Sequence, residues 1–233
     1  PGAGSGNFLG LKPELEWTTV DIDKTNSQIL ESLYPEADHY NMSFENFIKG
    51  GFDLVISNVP FSDQRGKGKV DKRPDIKFLH DFYFVSALDR VRDNGVIVFI
   101  TSSGTMDKKS KVIREEIVSK ADFLGAYRLP EGHFGETANT QVTTDVIFLQ
   151  KRPKGVKSRN EELNRSFVDV VVEDYDDGDM LEGEVKINRY YKENGDKLLG
   201  NLVVGRERMY GGGIKWVLEK EGEIEDYVNE IEI

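Results

Sequence analysis

An apolar run that stops in an Asn-x-Pro-Phe turn constrains this chain more than any other feature. The run spans residues 52–57, and Asn58-Val59-Pro60-Phe61 follows it directly. A short apolar run bounded by turn residues is typical of a buried parallel strand. Open α/β sheets bind their ligands just past the carboxyl ends of such strands. The sequence therefore predicts an α/β protein with a binding site at this turn.

The residue types of the turn suit a planar amine. The amide oxygen of Asn58 can accept a hydrogen bond, and Pro60 favours an extended Val59 whose carbonyl offers a second acceptor. Phe61 provides a flat face for stacking. An isolated turn of this kind is also typical of an ordinary strand end with a core Phe. Two acceptors and a stacking ring suit a planar amine such as adenine.

A glycine-rich start and an acid-ended strand add a second half to this site. Glycines at positions 2, 4 and 6 allow a tight turn and close approach of a ligand. Residues 17–23 resemble a strand that ends in acid, and a carboxylate such as Asp21 commonly binds ribose hydroxyls in that place. The sequence thus predicts an adenosine-type site beside an amine site.

These motifs, in this order, resemble those of the γ-class N6-adenine DNA methyltransferases, which use S-adenosylmethionine. The similarity continues through residues 80–84, 95–102, 127–130 and 144–149, and it weakens after about residue 155. It is greatest to the large methylases of plasmids and phages, which are often fused to helicases. Val59 stands where the family usually has Pro, but its carbonyl serves equally well.

The resemblance implies a fold and a set of site residues. The expected fold is the Rossmann-like sheet of class I S-adenosylmethionine-dependent methyltransferases, mostly parallel with an antiparallel last strand, and with a small β-rich C-terminal appendage. No metal is expected. The expected cofactor contacts are Pro1, Gly2, Gly4, Gly6, Asp21, Phe44 and Glu45. A flipped adenine is expected at the catalytic residues Asn58, Val59, Pro60 and Phe61, with Phe134 as a second aromatic wall.

The family pattern also bears on the start of the chain. In that fold the glycine loop follows the central strand of the sheet, whereas Pro1 already lies in the loop. We therefore expect a fragment that is poorly stable and inactive unless the missing strand is supplied, because unpaired strand edges are costly.

Charge is distributed unevenly along the chain. The net charge is −11, but residues 1–159 carry 22 basic and 22 acidic side chains, whereas residues 160–233 carry 9 and 20. A cationic loop follows Phe61, which suggests phosphate contact, although a solvated loop has the same composition. Its candidate phosphate contacts are Arg65, Lys67, Lys69, Lys72 and Arg73.

Periodicity divides the chain into three parts. Residues 1–152 are predicted to form the catalytic domain, 153–165 a linker, and 166–233 an acidic β-rich appendage with strands at 166–173 and 183–191. Within the first part, the predicted helices are 25–34 (packing Ile29, Leu30 and Leu33), 76–91 and 111–120. The predicted strands include 38–43, 95–102, 121–129 and 144–151, the last closing the sheet.

Composition narrows the class of protein and leaves the substrate open. There are no cysteines and no run of membrane-spanning length, which fits a cytoplasmic protein, and the three scattered His argue against a metal cluster. The family resemblance implies a bacterial, plasmid or phage setting. Expected partners are double-stranded DNA and a helicase, endonuclease or specificity module in the same polypeptide or complex. Methylation of an RNA amine or a protein glutamine amide, and a non-catalytic cofactor-binding or assembly subunit, remain alternatives.

Overall fold

The computed structural model describes residues 1–60, 73, 75–131, 142–206 and 213–220. Helices and strands alternate through the first part of the chain, as predicted. The helices are α1 Asn7–Leu11, α2 Lys24–Leu33, α3 Leu79–Arg90, α4 Gly104–Asp107, α5 Val112–Lys120, α6 Glu161–Val168 and α7 Arg189–Glu193. The strands are β1 Thr18–Asp21, β2 Asp38–Asn41, β3 Phe52–Asn58, β4 Val91–Ser102, β5 Ala121–Leu129, β6 Thr144–Lys151, β7 Val170–Asp176, β8 Glu182–Asn188, β9 Asn201–Arg206 and β10 Ile214–Glu219.

The main sheet has four strands in the order β3-β4-β6-β5. β3 and β4 are parallel, and β6 runs antiparallel to both β4 and β5. The prediction of an antiparallel strand at 144–151 is confirmed, but the prediction that it closes the sheet is wrong. β6 lies inside the sheet, where Ile147 and Leu149 are fully buried, and β5 forms the edge.

A groove separates β3 from the parallel pair β1–β2. Among the described residues, β1 pairs only with β2, and β3 pairs only with β4. The groove has a volume of about 800 Å³ and is lined by both facing edges, including Thr18 and Val20 on one side and Leu54 and Ile56 on the other. The expected single, mostly parallel sheet is therefore present as two pieces, since these edges are too far apart to bond directly.

Helices cover one face of the four-stranded sheet. Phe84 of α3 packs edge-on against Phe99 of β4, with ring centroids 5.0 Å apart. Helix α2 beside β1 contributes less than predicted. Its Leu30 is 1% exposed, but Ile29 and Leu33 are 38% and 60% exposed. A helix that packs on a two-stranded piece of sheet can bury only a narrow stripe.

The C-terminal part contains a helix where a strand was predicted. Residues 161–168 are helical because the Asn160 side chain caps the helix by accepting a hydrogen bond from the Leu163 amide at 3.1 Å, and the strand begins only at Val170. Phe167 stacks on Phe123 of β5 at 4.6 Å. The second predicted strand stops at Asn188, where α7 begins. The C-terminal part thus contributes to the same hydrophobic core as the main sheet. The division into a catalytic domain and a separate appendage at 166–233 remains a prediction.

No helix among the described residues is long and apolar enough to cross a membrane.

Candidate active site

The glycine-rich turn at the start of the chain is held by Asp21 at the end of β1. Gly2, Gly4 and Gly6 all have positive φ angles, of 62°, 56° and 90°, a conformation that glycine adopts at little cost. One carboxylate oxygen of Asp21 accepts a hydrogen bond from the Gly4 amide at 2.8 Å, and the other accepts one from the Asp23 amide at 2.8 Å. Asp21 therefore shapes the turn, and it retains lone pairs for further donors.

The glycines of this turn have different surroundings. A Cβ added at Gly4 would meet no atom within 4 Å, whereas one at Gly6 would lie 2.8 Å from side-chain atoms of Leu30 and Tyr34. Gly6 is thus required for packing against α2. Gly4 leaves the backbone open to a ligand.

The Asn58 turn presents two acceptors. Asn58 is exposed at the end of β3, and its side chain makes no hydrogen bond with a described residue. The Val59 side chain is 1% exposed, which anchors the turn. The Val59 amide donates to the Ile100 carbonyl of β4 at 2.9 Å, while its own carbonyl accepts no hydrogen bond within the described part of the chain. Within the described part of the chain, neither of these two acceptors is occupied.

The structure brings the glycine turn and the Asn58 turn together. A Cβ at Gly2 would lie 3.7 Å from Ser57 Oγ and 3.8 Å from Pro60 Cδ. In addition, the Ser57 hydroxyl donates to the Pro1 carbonyl at 2.5 Å. Two segments that are more than fifty residues apart in sequence thus form one site at the carboxyl ends of β1 and β3.

Two residues of this site were not among the predicted site residues. Ser57 joins the two turns, and its position next to Asn58 in a buried strand is the only sequence signal for it. Tyr83 of α3 lies behind the glycine turn, with its hydroxyl oxygen 3.6 Å from the position of a Gly2 Cβ. It belongs to the segment 80–84 that carries the family resemblance, but nothing in the sequence singles out its hydroxyl group.

Phe44 and Glu45 lie beside Tyr83, after β2. The Phe44 ring is 5% exposed and lies 5.1 Å from the Tyr83 ring. The Arg90 guanidinium covers Phe44 at 4.7 Å. Phe44 is therefore a core residue at the border of the site, and its contact with a cofactor remains a prediction.

Several predicted site residues cannot be placed. Of the proposed phosphate contacts, only Arg73 is described. Its guanidinium pairs with Asp75 at 2.6 Å and with Glu116 at 2.9 Å, and hydrogen bonds with these carboxylates raise its pKa. A phosphate would have to compete with both. The others, Phe61, Arg65, Lys67, Lys69, Lys72 and Phe134, lie outside the described residues.

A buried ion-pair network supports the same edge of the sheet. Arg128 of β5 is fully buried and binds Asp145 of β6 at 2.7 Å and Asp107 at 2.8 Å. Tyr191 and Asn188, from the C-terminal part, donate to Asp145 and Asp107 at 3.0 and 2.8 Å. Among the described residues, no group of His, Cys, Asp and Glu could hold a metal ion.

The donor set fits an adenosine-containing cofactor. A glycine turn with open space at Gly4, the Asp21 carboxylate and the aromatic border at Phe44 suit the phosphate-free adenosine of S-adenosylmethionine. Residues 1–11, which include the turn, contain no basic side chain that could pair with a pyrophosphate. The adjoining Asn58 turn would then face the reactive end of the cofactor.

Solved structures assign the architecture to a class. A protein of Listeria monocytogenes described as a class I S-adenosylmethionine-dependent methyltransferase matches with a TM-score of 0.52 and 17% identity, over 66% of this chain and 53% of that one. A modification subunit of a putative type I restriction enzyme from Vibrio vulnificus matches with a TM-score of 0.55 and 16% sequence identity. The match covers 68% of this chain and 43% of that one. The methyltransferase subunit of a type I restriction-modification system from Streptococcus thermophilus matches with a TM-score of 0.52 and 19% sequence identity. The match covers 65% of this chain and 39% of that one. The fold is that of class I methyltransferases.

The sequence comparison is more specific. The profile of the N-6 DNA Methylase family matches residues 14–178, more than half of the chain, so this chain belongs to that family. The match begins after the glycine turn. Defense against restriction protein B of Escherichia phage P1 is 29% identical over 160 residues, which cover 66% of this chain but only 7% of that protein. The expected family resemblance is confirmed.

Proposed function

We propose that this chain is the catalytic part of a methyltransferase that transfers a methyl group from S-adenosylmethionine to N6 of adenine in DNA. The observation that carries the proposal is the junction of the two turns, where Gly2 lies against Ser57 and Pro60. This junction would place a cofactor bound at the glycine turn next to an amine bound at Asn58. Membership of the N-6 DNA Methylase family supports DNA as the substrate.

The residues of the site have distinct roles in this proposal. Asn58 and the Val59 carbonyl would each accept a hydrogen bond from one N6 proton, which favours a pyramidal nitrogen with an available lone pair. Pro60 and the buried Val59 hold these acceptors in place, so that catalysis would depend on positioning. Phe61 and Phe134 would stack on a base rotated out of the duplex. Bound S-adenosylmethionine would supply an electrophilic methyl group.

Asp21 and the glycines have a binding role. Asp21 would accept hydrogen bonds from ribose hydroxyls while it holds the Gly4 amide. Pro1, Gly2 and Gly4 would line the cofactor, and Phe44 and Glu45 would border its adenine. Gly6 would act indirectly, by allowing the turn to pack on α2.

Similarities to other proteins support a biological setting. The names of the matched proteins refer to restriction-modification and to defence against restriction. We therefore infer that the chain acts on double-stranded DNA in a bacterial, plasmid or phage setting. A helicase, endonuclease or specificity module in the same polypeptide or complex would supply recognition, and the cationic loop from Arg65 to Arg73 would contact phosphates.

The proposal is tested by methyl transfer. A protein in which residues 1–233 are joined at Pro1 to the expected upstream strand is incubated with radiolabelled S-adenosylmethionine and unmethylated duplex DNA, and the DNA is digested to nucleosides. We expect label in N6-methyldeoxyadenosine. Because an acceptor of the amine is lost, Asn58→Ala should lower the rate by roughly 10²–10³-fold while cofactor binding is retained. Asn201→Ala, at an exposed position on β9, is the matched control.

The other outcomes separate the alternatives. Cofactor binding without label in DNA would contradict the proposed substrate and favour an RNA amine or a protein glutamine amide. Absence of both would favour a non-catalytic role. Equal rates for Asn58→Ala and Asn201→Ala would exclude Asn58 from catalysis.

A further inference from the structure

Two buried hydroxyl groups lie on neighbouring strands at the carboxyl end of β4. Ser102 on β4 and Thr144 on β6 are cross-strand partners, and they are 6% and 1% exposed. Within the part of the chain that the structure describes, neither hydroxyl makes a hydrogen bond. Burial of an unpaired hydroxyl is costly. We call these two residues the hydroxyl pair, and their burial without a partner indicates a ligand.

Other buried hydroxyls at this edge of the sheet are satisfied. The hydroxyls of Thr101 and Thr105 hydrogen-bond to each other at 2.8 Å. The hydroxyl of Thr143 accepts a hydrogen bond from the Leu218 amide at 3.2 Å. The hydroxyl pair therefore differs from its immediate neighbours, which contribute to the stability of the fold.

The hydroxyl pair shares one face of the sheet with Asn58. Asn58 pairs with Ile100, and Ser102 lies two residues further along β4, so that strand alternation places all three side chains on the same face. The burial pattern agrees with this placement. Phe99 and Thr101 are fully buried on the face that the helices cover, whereas Ile100 is half-buried.

The spacing of these residues suits a purine. A strand separation of about 4.8 Å and a rise of about 3.3 Å per residue put the Cβ atoms of Asn58 and Ser102 roughly 8 Å apart. Thr144 lies one strand further from Asn58. A purine whose amine is bound at Asn58 can therefore extend its rings towards both hydroxyls. The ring nitrogens N1, N3 and N7 of adenine are acceptors, and a hydroxyl can donate to them.

We propose that the hydroxyl pair selects the target base: Ser102 and Thr144 donate hydrogen bonds to ring nitrogens of an adenine whose N6 is bound at the Asn58 turn. This inference rests on the proposed function and adds two residues that distinguish adenine from other amines. Cytosine also carries an exocyclic amine, but its single ring is too short to reach both hydroxyls. A site with buried polar groups discriminates against a ligand that leaves them unpaired.

Methylation kinetics test the contribution of the hydroxyl groups. The assay uses the protein that includes the upstream strand, radiolabelled S-adenosylmethionine and unmethylated duplex DNA. Thr144→Val removes the hydroxyl and keeps the shape of the side chain. Because one hydrogen bond to the base is lost, we expect kcat/KM for DNA to fall roughly three- to tenfold, and Ser102→Ala should show a similar loss. Thr144→Ser retains a hydroxyl and should retain the wild-type rate.

Urea unfolding separates a contact with the base from a structural role. Thr144→Val should have the same urea midpoint as the wild type, because no hydrogen bond within the protein is lost. Thr143→Val is the matched comparison, and its midpoint should fall because the Leu218 amide loses its acceptor. A midpoint for Thr144→Val as low as that of Thr143→Val would show that the Thr144 hydroxyl stabilises the fold, and would overturn the proposal.

Altered bases identify the contacted atom. Duplex DNA is prepared with deazaadenines that lack N1, N3 or N7 in place of adenine. On the DNA that lacks the contacted nitrogen, the wild type and Thr144→Val should react at equal rates, because neither protein can make the hydrogen bond. A difference between the two proteins that persists on all three DNAs would contradict contact with a ring nitrogen.

The outcomes also separate this inference from the proposed function. If the wild type methylates adenine and both Ser102→Ala and Thr144→Val do so at the same rate, the inference is wrong and the proposed function stands. If the wild type transfers no label to DNA, the proposed function is wrong and the inference fails with it.

Discussion

Single residues of the glycine turn serve different purposes that their sequence does not reveal. Gly4 and Gly6 are two residues apart and both have positive φ, but only Gly6 is enclosed by side chains, those of Leu30 in α2 and of Tyr34 just after it. An added methyl group at Gly6 would overlap Leu30 and Tyr34. At Gly4 it would enter the space proposed for the cofactor.

A pair of alanine substitutions separates these purposes. Gly6→Ala should lower the free energy of unfolding by about 1–3 kcal/mol because of overpacking, in addition to the cost of a positive φ in a residue with a Cβ. Gly4→Ala carries only the second cost and should instead weaken binding of S-adenosylhomocysteine. Urea unfolding and calorimetry measure the two effects. Equal stability losses in the two variants would contradict the assignment of Gly6 to packing.

Much of the site could be predicted from residue types, and the rest depends on contacts between distant segments. Asn58, Val59 and the glycines could be located because turn chemistry and strand ends are local properties. Ser57 and Tyr83 could not, since their importance comes from Pro1 and Gly2 approaching them across the fold. No local pattern encodes that approach.

At the scale of elements, α6 protects the open edge of β5. The Asn164 side chain accepts a hydrogen bond from the Phe123 amide at 2.8 Å and donates to Ser158 at 2.9 Å and Asp122 at 3.2 Å. Edge strands expose backbone donors that can pair with other chains. A side chain of α6 thus satisfies a donor that no strand reaches.

Substitution of Asn164 should show how much this edge contact contributes. Asn164→Ala leaves the Phe123 amide without its acceptor, and we expect a loss of about 2–3 kcal/mol in the free energy of unfolding. Loss of the helix cap in Asn160→Ala should cost about 1 kcal/mol. Arg159→Ala, at an exposed position, is the control and should stay within about 0.5 kcal/mol. Equal urea midpoints for Asn164→Ala and Arg159→Ala would show that the contact is unimportant.

Element types could be predicted better than element neighbours. Helices at 24–33, 79–90 and 112–120 and strands at 91–102, 121–129 and 144–151 agree closely with the periodicity. The order β4-β6-β5 could not be predicted, because alternation of apolar residues identifies a buried face but not the strand beside it. The helix at 161–168 was missed because its apolar residues also suit a strand, and the Asn160 cap was not recognised.

For the whole molecule, the groove between β1 and β3 is the main departure from a continuous sheet. Among the described residues, neither facing edge pairs with a further strand. Pro1 lies at the carboxyl end of the groove, where its carbonyl accepts a hydrogen bond from the Ser57 hydroxyl and the Ala3 amide donates to the Val20 carbonyl. An extended strand attached at Pro1 would fit between the two edges.

Extension of the chain at Pro1 should therefore stabilise it. A Val- and Ile-rich segment of about five residues can pair with both edges, and each kcal/mol gained should raise Tm by about 2–4 °C. Calorimetry would compare the Tm of this extended protein with the Tm of a protein whose extension has Pro at alternate positions. Equal Tm values for the two extensions would contradict strand pairing.

The interior position of β6 has a consequence for synthesis on the ribosome. β5 leaves the exit tunnel before β6, yet β6 separates it from β4. In a nascent chain that ends before residue 151, β5 lacks the complete β6 strand with which it pairs. The apolar residues of β5 therefore stay exposed to solvent while translation continues. β5 and β6 should pair with each other first and then add to β4 together, as one antiparallel unit. Interrupted translation between residues 129 and 151 would then yield polypeptides prone to aggregation.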